Sequence, residues 1–298
     1  MNVCDLVGRT PLLDLSSLSP AEGVGVWAKA EFCNPSGSVK DRAARAMLAE
    51  GLRSGRLGPE KAVLDSTSGN TGIAYAMLGA ALKRRVVLHM PANANRERKA
   101  LLGAYGAEVV ETDPLEGSDG AYLSAKKAYE NDPDEYFFPN QYDNPENHRA
   151  HYLTTGPEIW GQTGGGVTHF VCSVGTGGTF MGVSSKLKSL KPEVRAVLVQ
   201  PDSPLHGIEG TKHLASTIKP GIFDRALPDE VVTVSTEEAI KVCRRLAGEL
   251  GVLAGVSAGA NVAAALRLAG GLPPGSLVTT VLGDGGARYL SDGLWDKA

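Results

Sequence analysis

Residues 62–90 read AVLDSTSGNTGIAYAMLGAALKRRVVLHM. Residues 62–65 form a short apolar run of strand length, 66–72 a cluster of hydroxyl and glycine residues, 71–83 a stretch of helical length, and 86–90 a second apolar run. Strand, helix and strand within about thirty residues make a βαβ unit, whose crossover leaves the strands parallel and sets the helix on one face of the sheet.

Outward from this unit the rhythm continues in both directions. Residues 24–31 alternate as a strand and 39–52 read as a helix. After residue 90, 96–105 predict a helix, 108–111 a strand and 118–130 a helix. Residues 136–142, interrupted by Pro139, read as a crossing between domains. The pattern then restarts with a helix over 146–162, a strand over 168–173, a helix over 179–190 and a strand over 195–200. A strand over 231–234, helices over 237–250 and 261–269, and a buried strand over 277–282 complete it. The expected fold class is α/β, with two doubly wound domains on parallel-rich central sheets. The stretch 201–228 lacks periodicity and exceeds the usual connection length, which marks functional loops more often than plain linkers.

Composition narrows the function. With 298 residues, 42% hydrophobic and 21% charged, the chain is globular and long enough for two domains. A net charge of -3 argues against a nucleic-acid footprint. No apolar run approaches the ~20 residues of a membrane span, and residues 1–10 lack a secretory layout, so a cytoplasmic protein is expected. Cys4, Cys33, Cys172 and Cys243 are scattered without a CxxC pair and read as reduced, mostly buried thiols, with Cys33 a small filler near the Lys40 turn. His148 and His151 lie one helical turn apart, yet no carboxylate or cysteine cluster completes a site, and no metal is expected.

Three strand-to-helix junctions share a small-residue theme: residues 66–72, 173–179 and 255–260. Gly175, Thr176, Gly177, Gly178 and Thr179 can present backbone N–H groups to a phosphate, or form a glycine-rich turn with no ligand. A dinucleotide fingerprint fails because Phe180 stands at its last glycine position and Gln200 ends the next strand; no Gly-Lys-Ser or Gly-Lys-Thr follows for a Walker site. Asn70 carries an amide able to bond a ring oxygen or carboxylate, or is a helix-start residue only. Ser257 offers one hydrogen bond, or is an N-cap.

Asn34-Pro35-Ser36-Gly37-Ser38-Val39-Lys40 is a turn with Ser38 as the expected cap of the following helix. A lysine in the first turn meets the positive end of the helix dipole, which disfavours its ammonium form and suits a Schiff-base amine; the bland alternative is a solvated surface lysine. Lysine, phosphate cradle, amide and serine together are what a pyridoxal-phosphate site requires.

Nearly the whole chain resembles the cysteine synthase family of fold type II pyridoxal-phosphate enzymes, its B-type members above all, a tryptophan synthase β-like fold. The carriers are Gly8-Arg9-Thr10-Pro11-Leu12, NPSGSVKDRAA from Asn34, TSGNTGIAYAM from Thr67, NQYDNPEN from Asn140, HYLTTGPEIWGQTGG from His151, GTGGT from Gly175, PGIFDRALPDEV from Pro220 and GVSAGA from Gly255. The resemblance implies a smaller mobile domain over 36–145 and a larger one from 1–35 and 146–298. It implies that Lys40 carries pyridoxal 5'-phosphate and is the catalytic base, that Asn70 contacts the ring oxygen, and that Gly175, Thr176, Gly177, Gly178 and Thr179 hold the phosphate. Ser257 faces the ring nitrogen, and Thr67, Ser68, Thr71 and Gln141 bind the amino-acid carboxylate. A serine rather than an aspartate at that nitrogen makes the cofactor a weaker electron sink, favouring β-elimination and replacement.

The implied reaction forms L-cysteine from O-acetylserine or O-phosphoserine through α-aminoacrylate, with sulfide, thiosulfate or a thiocarboxylated carrier protein as sulfur donor. A homodimer is implied, with serine acetyltransferase or a sulfur-carrier protein as partner. Gly177-Gly178 and Ser257-Ala258 depart from the frequent B-type pairs, and Ser-Ala-Gly is shared with cystathionine β-synthase, so a homocysteine-using enzyme is the alternative, followed by a serine or threonine dehydratase. A regulatory module after Ala298 and a haem-binding extension before Met1 are not expected. A non-catalytic partner-binding homologue is the alternative of another class. Lys212 and His213 in the long loop read as solvated, or as cations for a phosphorylated leaving group.

Overall fold

The computed structural model describes residues 1–67 and 69–295. In chain order the strands and helices are β1 (Leu12–Asp14), β2 (Gly25–Ala30), α1 (Lys40–Arg53), β3 (Ala62–Ser66), α2 (Asn70–Leu82), β4 (Val86–Pro91), α3 (Arg96–Ala104), β5 (Glu108–Thr112), α4 (Gly117–Asn131) and β6 (Tyr136–Phe137). They continue with α5 (Pro145–Leu153), α6 (Thr155–Gln162), β7 (His169–Ser173), α7 (Gly178–Leu190), β8 (Arg195–Pro201), β9 (Glu230–Val234), α8 (Thr236–Leu250), α9 (Val256–Ala269) and β10 (Leu277–Leu282). Two compact units result, residues 1–7 with 34–147, and residues 8–33 with the chain from 148 onward.

The first unit holds a parallel sheet in the order β5-β4-β3-β6. β3 and β4 are buried along their whole lengths, which is why they read as continuous apolar runs rather than alternating ones. α2 buries Ile73, Tyr75, Met77 and Leu78 on all its faces and packs with Met47, Leu48, Leu88 and Met90 in one core. The opposite face of the sheet meets α4 through Leu64, Val87 and Ala125.

Two expectations are corrected here. Residues 136–142 are not only a crossing, because Tyr136 and Phe137 pair with Ala62 and Val63 of β3; a two-residue edge strand next to Pro139 leaves no periodic signal. Residues 1–7, expected with the larger unit, join the smaller one: Val3 and Cys4 pack against its core and the Arg45 guanidinium donates to the Val7 carbonyl at 3.5 Å.

The second unit holds a six-stranded sheet, β1-β2-β10-β7-β8-β9, parallel except for the antiparallel β1–β2 edge. Val26, Ala28, Val171, Val197 and Val199 of the sheet and Leu246, Val262 and Leu266 of α8 and α9 make its core. The helix expected over 146–162 is two, because Pro157 has no N–H to offer Leu153 and the backbone departs from helical angles at Thr154 (φ -126, ψ -68). α9 starts at Val256 rather than 261; its run of small residues lets α8 approach so closely that a Cβ at Gly259 would strike the Ala239 carbonyl. Of the four cysteines, Cys172 and Cys243 are buried, Cys4 is half-buried and Cys33 is exposed, so Cys33 is not a core filler. Among the described residues no helix is long and apolar enough to cross a membrane.

Candidate active site

In the first unit the turn before α1 is fastened by a residue that sequence reasoning passed over. Gly37, at φ +85, donates its N–H to Asn34 O (2.7 Å), and the buried Asp41 carboxylate accepts from the Ser36 N–H (2.7 Å) and the Ser36 hydroxyl. The second residue of the helix thus ties down the turn that precedes it. Val39, not Ser38, is the N-cap, with no side-chain capping bond; the Ser38 hydroxyl instead accepts from the Lys40 N–H at 3.3 Å. Lys40 therefore opens α1, half-buried, at the positive end of the helix dipole.

The loop from β3 into α2 is organised by Thr67. Its buried Oγ1 accepts from the N–H groups of Gly69 (2.9 Å) and Gly72 (3.0 Å), supplying the cap that Gly69, the N-cap residue, lacks. Both lone pairs are then in use, and what the hydroxyl still has to offer is its proton. Ser68 lies outside the described residues. Asn70 is the first residue of α2 and half-buried. The Thr71 hydroxyl donates to Gln141 Oε1 (3.0 Å), Gln141 Nε2 donates to Ser66 O (3.0 Å), and Asn147 Nδ2 donates to Gln141 O (2.7 Å). Residues expected to share one carboxylate are brought together, with Gln141 strapped to both ends of the loop.

Two charged groups under this loop carried no sequence signal beyond their type. Arg98 of α3 is buried and lies so near that a Cβ at Gly69 would sit 2.9 Å from Arg98 Cδ, placing a guanidinium beside the loop backbone. Asp65 is fully buried at the end of β3; burial pushes its carboxyl up to about 7, offset in part by the Ser66 amide, the Tyr75 hydroxyl and the Gln141 amide. Oδ1 accepts from the Ser66 N–H at 2.8 Å.

In the second unit, Gly175 and Thr176 lead from β7 to Gly177, the N-cap of α7, which adopts φ +91 and is followed by Gly178 and Thr179 in the first turn. No side chain caps α7. First-turn N–H groups have no intrahelical acceptor, so an anion such as a phosphate fits this end. The long 201–228 loop backs the turn: Gly210 O lies where a Cβ at Gly175 would go, and the Lys212 N–H donates to Val174 O at 2.7 Å. Lys212 is buried, contrary to its reading as a solvated lysine, because its backbone is tied to the segment before the turn.

Ser257 is not a cap, since Gly255 holds that place in α9; its half-buried hydroxyl makes no hydrogen bond among the described residues. Gly283, after β10, lies beside it: a Cβ there would sit 3.5 Å from Ser257 Oγ. His151 does not pair with His148 for a metal: its Nδ1 meets Thr155 Oγ1 (2.9 Å) and its Nε2 meets Thr179 Oγ1 (3.3 Å). Among the described residues no group of three or more His, Cys, Asp or Glu side chains is arranged to hold a metal. In the second unit the uncapped glycine turn suits a phosphate and the Ser257 hydroxyl a ring nitrogen, and in the first unit Lys40, opening α1, suits a Schiff-base amine; by their chemistry these residues fit pyridoxal phosphate.

Comparison with known proteins agrees. The model of the pyridoxal-phosphate dependent enzyme family matches residues 3–284. A cysteine synthase of Aquifex aeolicus is 46% identical over 299 residues, covering 98% of this chain and 91% of that protein. Cysteine synthase B of Salmonella typhimurium is 43% identical over 291 residues, covering 98% and 95%. The crystal structure of cysteine synthase from Entamoeba histolytica superimposes with a TM-score of 0.94 at 35% identity, covering 100% of this chain and 91% of that one.

Proposed function

The chain belongs to the cysteine synthase family of pyridoxal-phosphate dependent enzymes, and on that premise we propose that it makes L-cysteine by β-replacement on an activated serine. O-acetylserine is the first-choice substrate and O-phosphoserine the second, with sulfide, thiosulfate or a thiocarboxylated carrier protein as sulfur source. One observation carries the reading: the Thr67–Gln141 carboxylate loop and the uncapped α7 turn occur, each built to donate hydrogen bonds, in a chain 46% identical to a cysteine synthase.

Pyridoxal phosphate, when bound, supplies the electron sink that acidifies Cα and lets the β-substituent leave. Gly175 to Thr179 would hold its phosphate, Asn70 its ring oxygen and Ser257 its ring nitrogen, and Lys40 would hold its carbonyl carbon until the substrate amine takes that place and frees the lysine amine. The Lys40 amine, in the first turn of α1, takes the α-proton and returns it. For the carboxylate, Thr67 and Thr71 play different parts. Thr67 still has a proton to give, whereas that of Thr71 is spent on Gln141, which it orients so that the remaining amide N–H can bind. Ser68 completes the set by its place in the sequence.

A cytoplasmic homodimer that meets serine acetyltransferase or a sulfur-carrier protein is part of the same reading, supported by the family. The test is product formation: the purified protein with pyridoxal phosphate is given each serine ester with sulfide, thiosulfate or homocysteine, and the amino acid released is identified. L-cysteine is expected; cystathionine alone, or pyruvate alone, would replace this reading with the homocysteine-using or dehydratase one.

A further inference from the structure

We propose that His151 is a positioning residue that fixes the hydroxyl proton of Thr179 toward the cofactor phosphate. The inference rests on residues 175–179 holding that phosphate. It starts from a hydroxyl remote from the turn. Thr155, first residue of α6, is 0% exposed, and its Oγ1 has His151 Nδ1, at 2.9 Å, as its hydrogen-bond partner among the described residues. A buried hydroxyl with one partner either donates to it or leaves its own proton stranded, and a stranded donor is the costlier error.

Thr155 therefore donates, and Nδ1 of His151 must be the bare nitrogen. The ring proton then sits on Nε2, which faces Thr179 Oγ1 at 3.3 Å. Thr179 accepts from it. Having accepted there, the half-buried Thr179 hydroxyl keeps its own proton, in the first turn of a helix whose N–H groups no side chain caps. With the opposite tautomer, or an imidazolium, the Thr155 proton would face an N–H, and in the former case Thr179 would spend its own proton on the ring. His151 is itself buried, and a Cβ at Gly182 would lie 2.7 Å from its Cβ, so α5 and α7 pack closely at the base of its side chain.

Two measurements test this. In the wild-type protein, nitrogen-15 spectra of the histidine rings show which His151 nitrogen bears hydrogen, with and without pyridoxal phosphate. Nε2–H in both states is expected; Nδ1–H or a doubly protonated ring overturns the proposal. In titrations of cofactor-free protein with pyridoxal phosphate, followed by absorbance, His151→Phe and Thr179→Val are each expected to weaken binding about tenfold, the double variant little more than either, and His151→Gln, which restores an N–H near Thr179, less. Full additivity overturns it. Thr155→Val, which frees the tautomer, is the variant to use if His151→Phe does not fold, and a several-fold loss is expected. A wild-type protein that binds no pyridoxal phosphate at all would sink the cofactor reading, whereas one that binds it with Nδ1 protonated sinks this proposal alone.

Discussion

The Thr71 hydroxyl donates to the Gln141 side-chain carbonyl across 3.0 Å, joining the start of α2 to a residue seventy positions later in the chain. Gln141 also donates to Ser66 O, so removing its side chain frees both ends of the loop. Gln141→Ala is expected to raise KM for the amino-acid substrate by one to two orders of magnitude, through the loss of ~1–3 kcal/mol of buried hydrogen bonding. Cofactor affinity, read from the absorbance titration, should change less than threefold. An unchanged KM would remove Gln141 from the carboxylate site.

The fold was legible in the sequence wherever burial imposed a single period. β3 and β4, covered on both faces, could only be read as strands, and α2 between them only as a helix. β6 was lost because two residues carry no period, and the α5–α6 break because Pro157 near a helix start looks the same as one inside it. In the site, the glycine turn and the Thr-Ser-Gly-Asn loop announce themselves by composition. Asp41, Arg98 and His151 do not, because what they do depends on which neighbour they meet in the fold: Ser36, Gly69 and Thr179 respectively.

The second unit hides an ion pair of high local cost. Lys29 of β2 is 0% exposed, and its ammonium meets Glu158 of α6 at 2.7 Å, Gln162 Oε1 at 2.8 Å and Thr10 O at 2.5 Å. Glu158→Ala removes the carboxylate that the buried ammonium meets at 2.7 Å and is expected to lower unfolding stability by about 3–5 kcal/mol. Lys29→Met exposes no buried ammonium and should cost less. Urea unfolding of the two variants compares them; equal losses would show that the pair is not what burial of the charge depends on.

Asp65 should make stability fall as pH rises. Its carboxyl is pushed from 3.8 to about 7 in the folded protein, so between those values the folded state keeps a proton that the unfolded state has released. The group's favourable contribution is complete at about pH 4 and is lost by about pH 7, an amount on the order of 4 kcal/mol. Asp65→Asn should therefore gain stability relative to wild type at pH 8 compared with pH 5. Parallel stability curves for the two proteins would contradict this.

Gly175→Ala should separate folding from cofactor binding. The added Cβ runs into the Gly210 carbonyl, so the turn or the long loop must shift. At least a tenfold loss of pyridoxal-phosphate affinity is expected from a displaced anion site, while the thermal midpoint of the cofactor-free protein falls by only a few degrees. Wild-type affinity in this variant would mean that residues 175–179 do not hold the phosphate.

Lys40 is the point on which the functional reading turns, and one measurement addresses it directly: L-cysteine released from O-acetylserine and sulfide by the wild-type protein and by Lys40→Ala, both supplied with pyridoxal phosphate. The account predicts turnover by the wild type and a loss of at least a thousandfold in the variant, since no other side chain is assigned to move the α-proton. Cysteine formation by Lys40→Ala at a rate near that of wild type would contradict it.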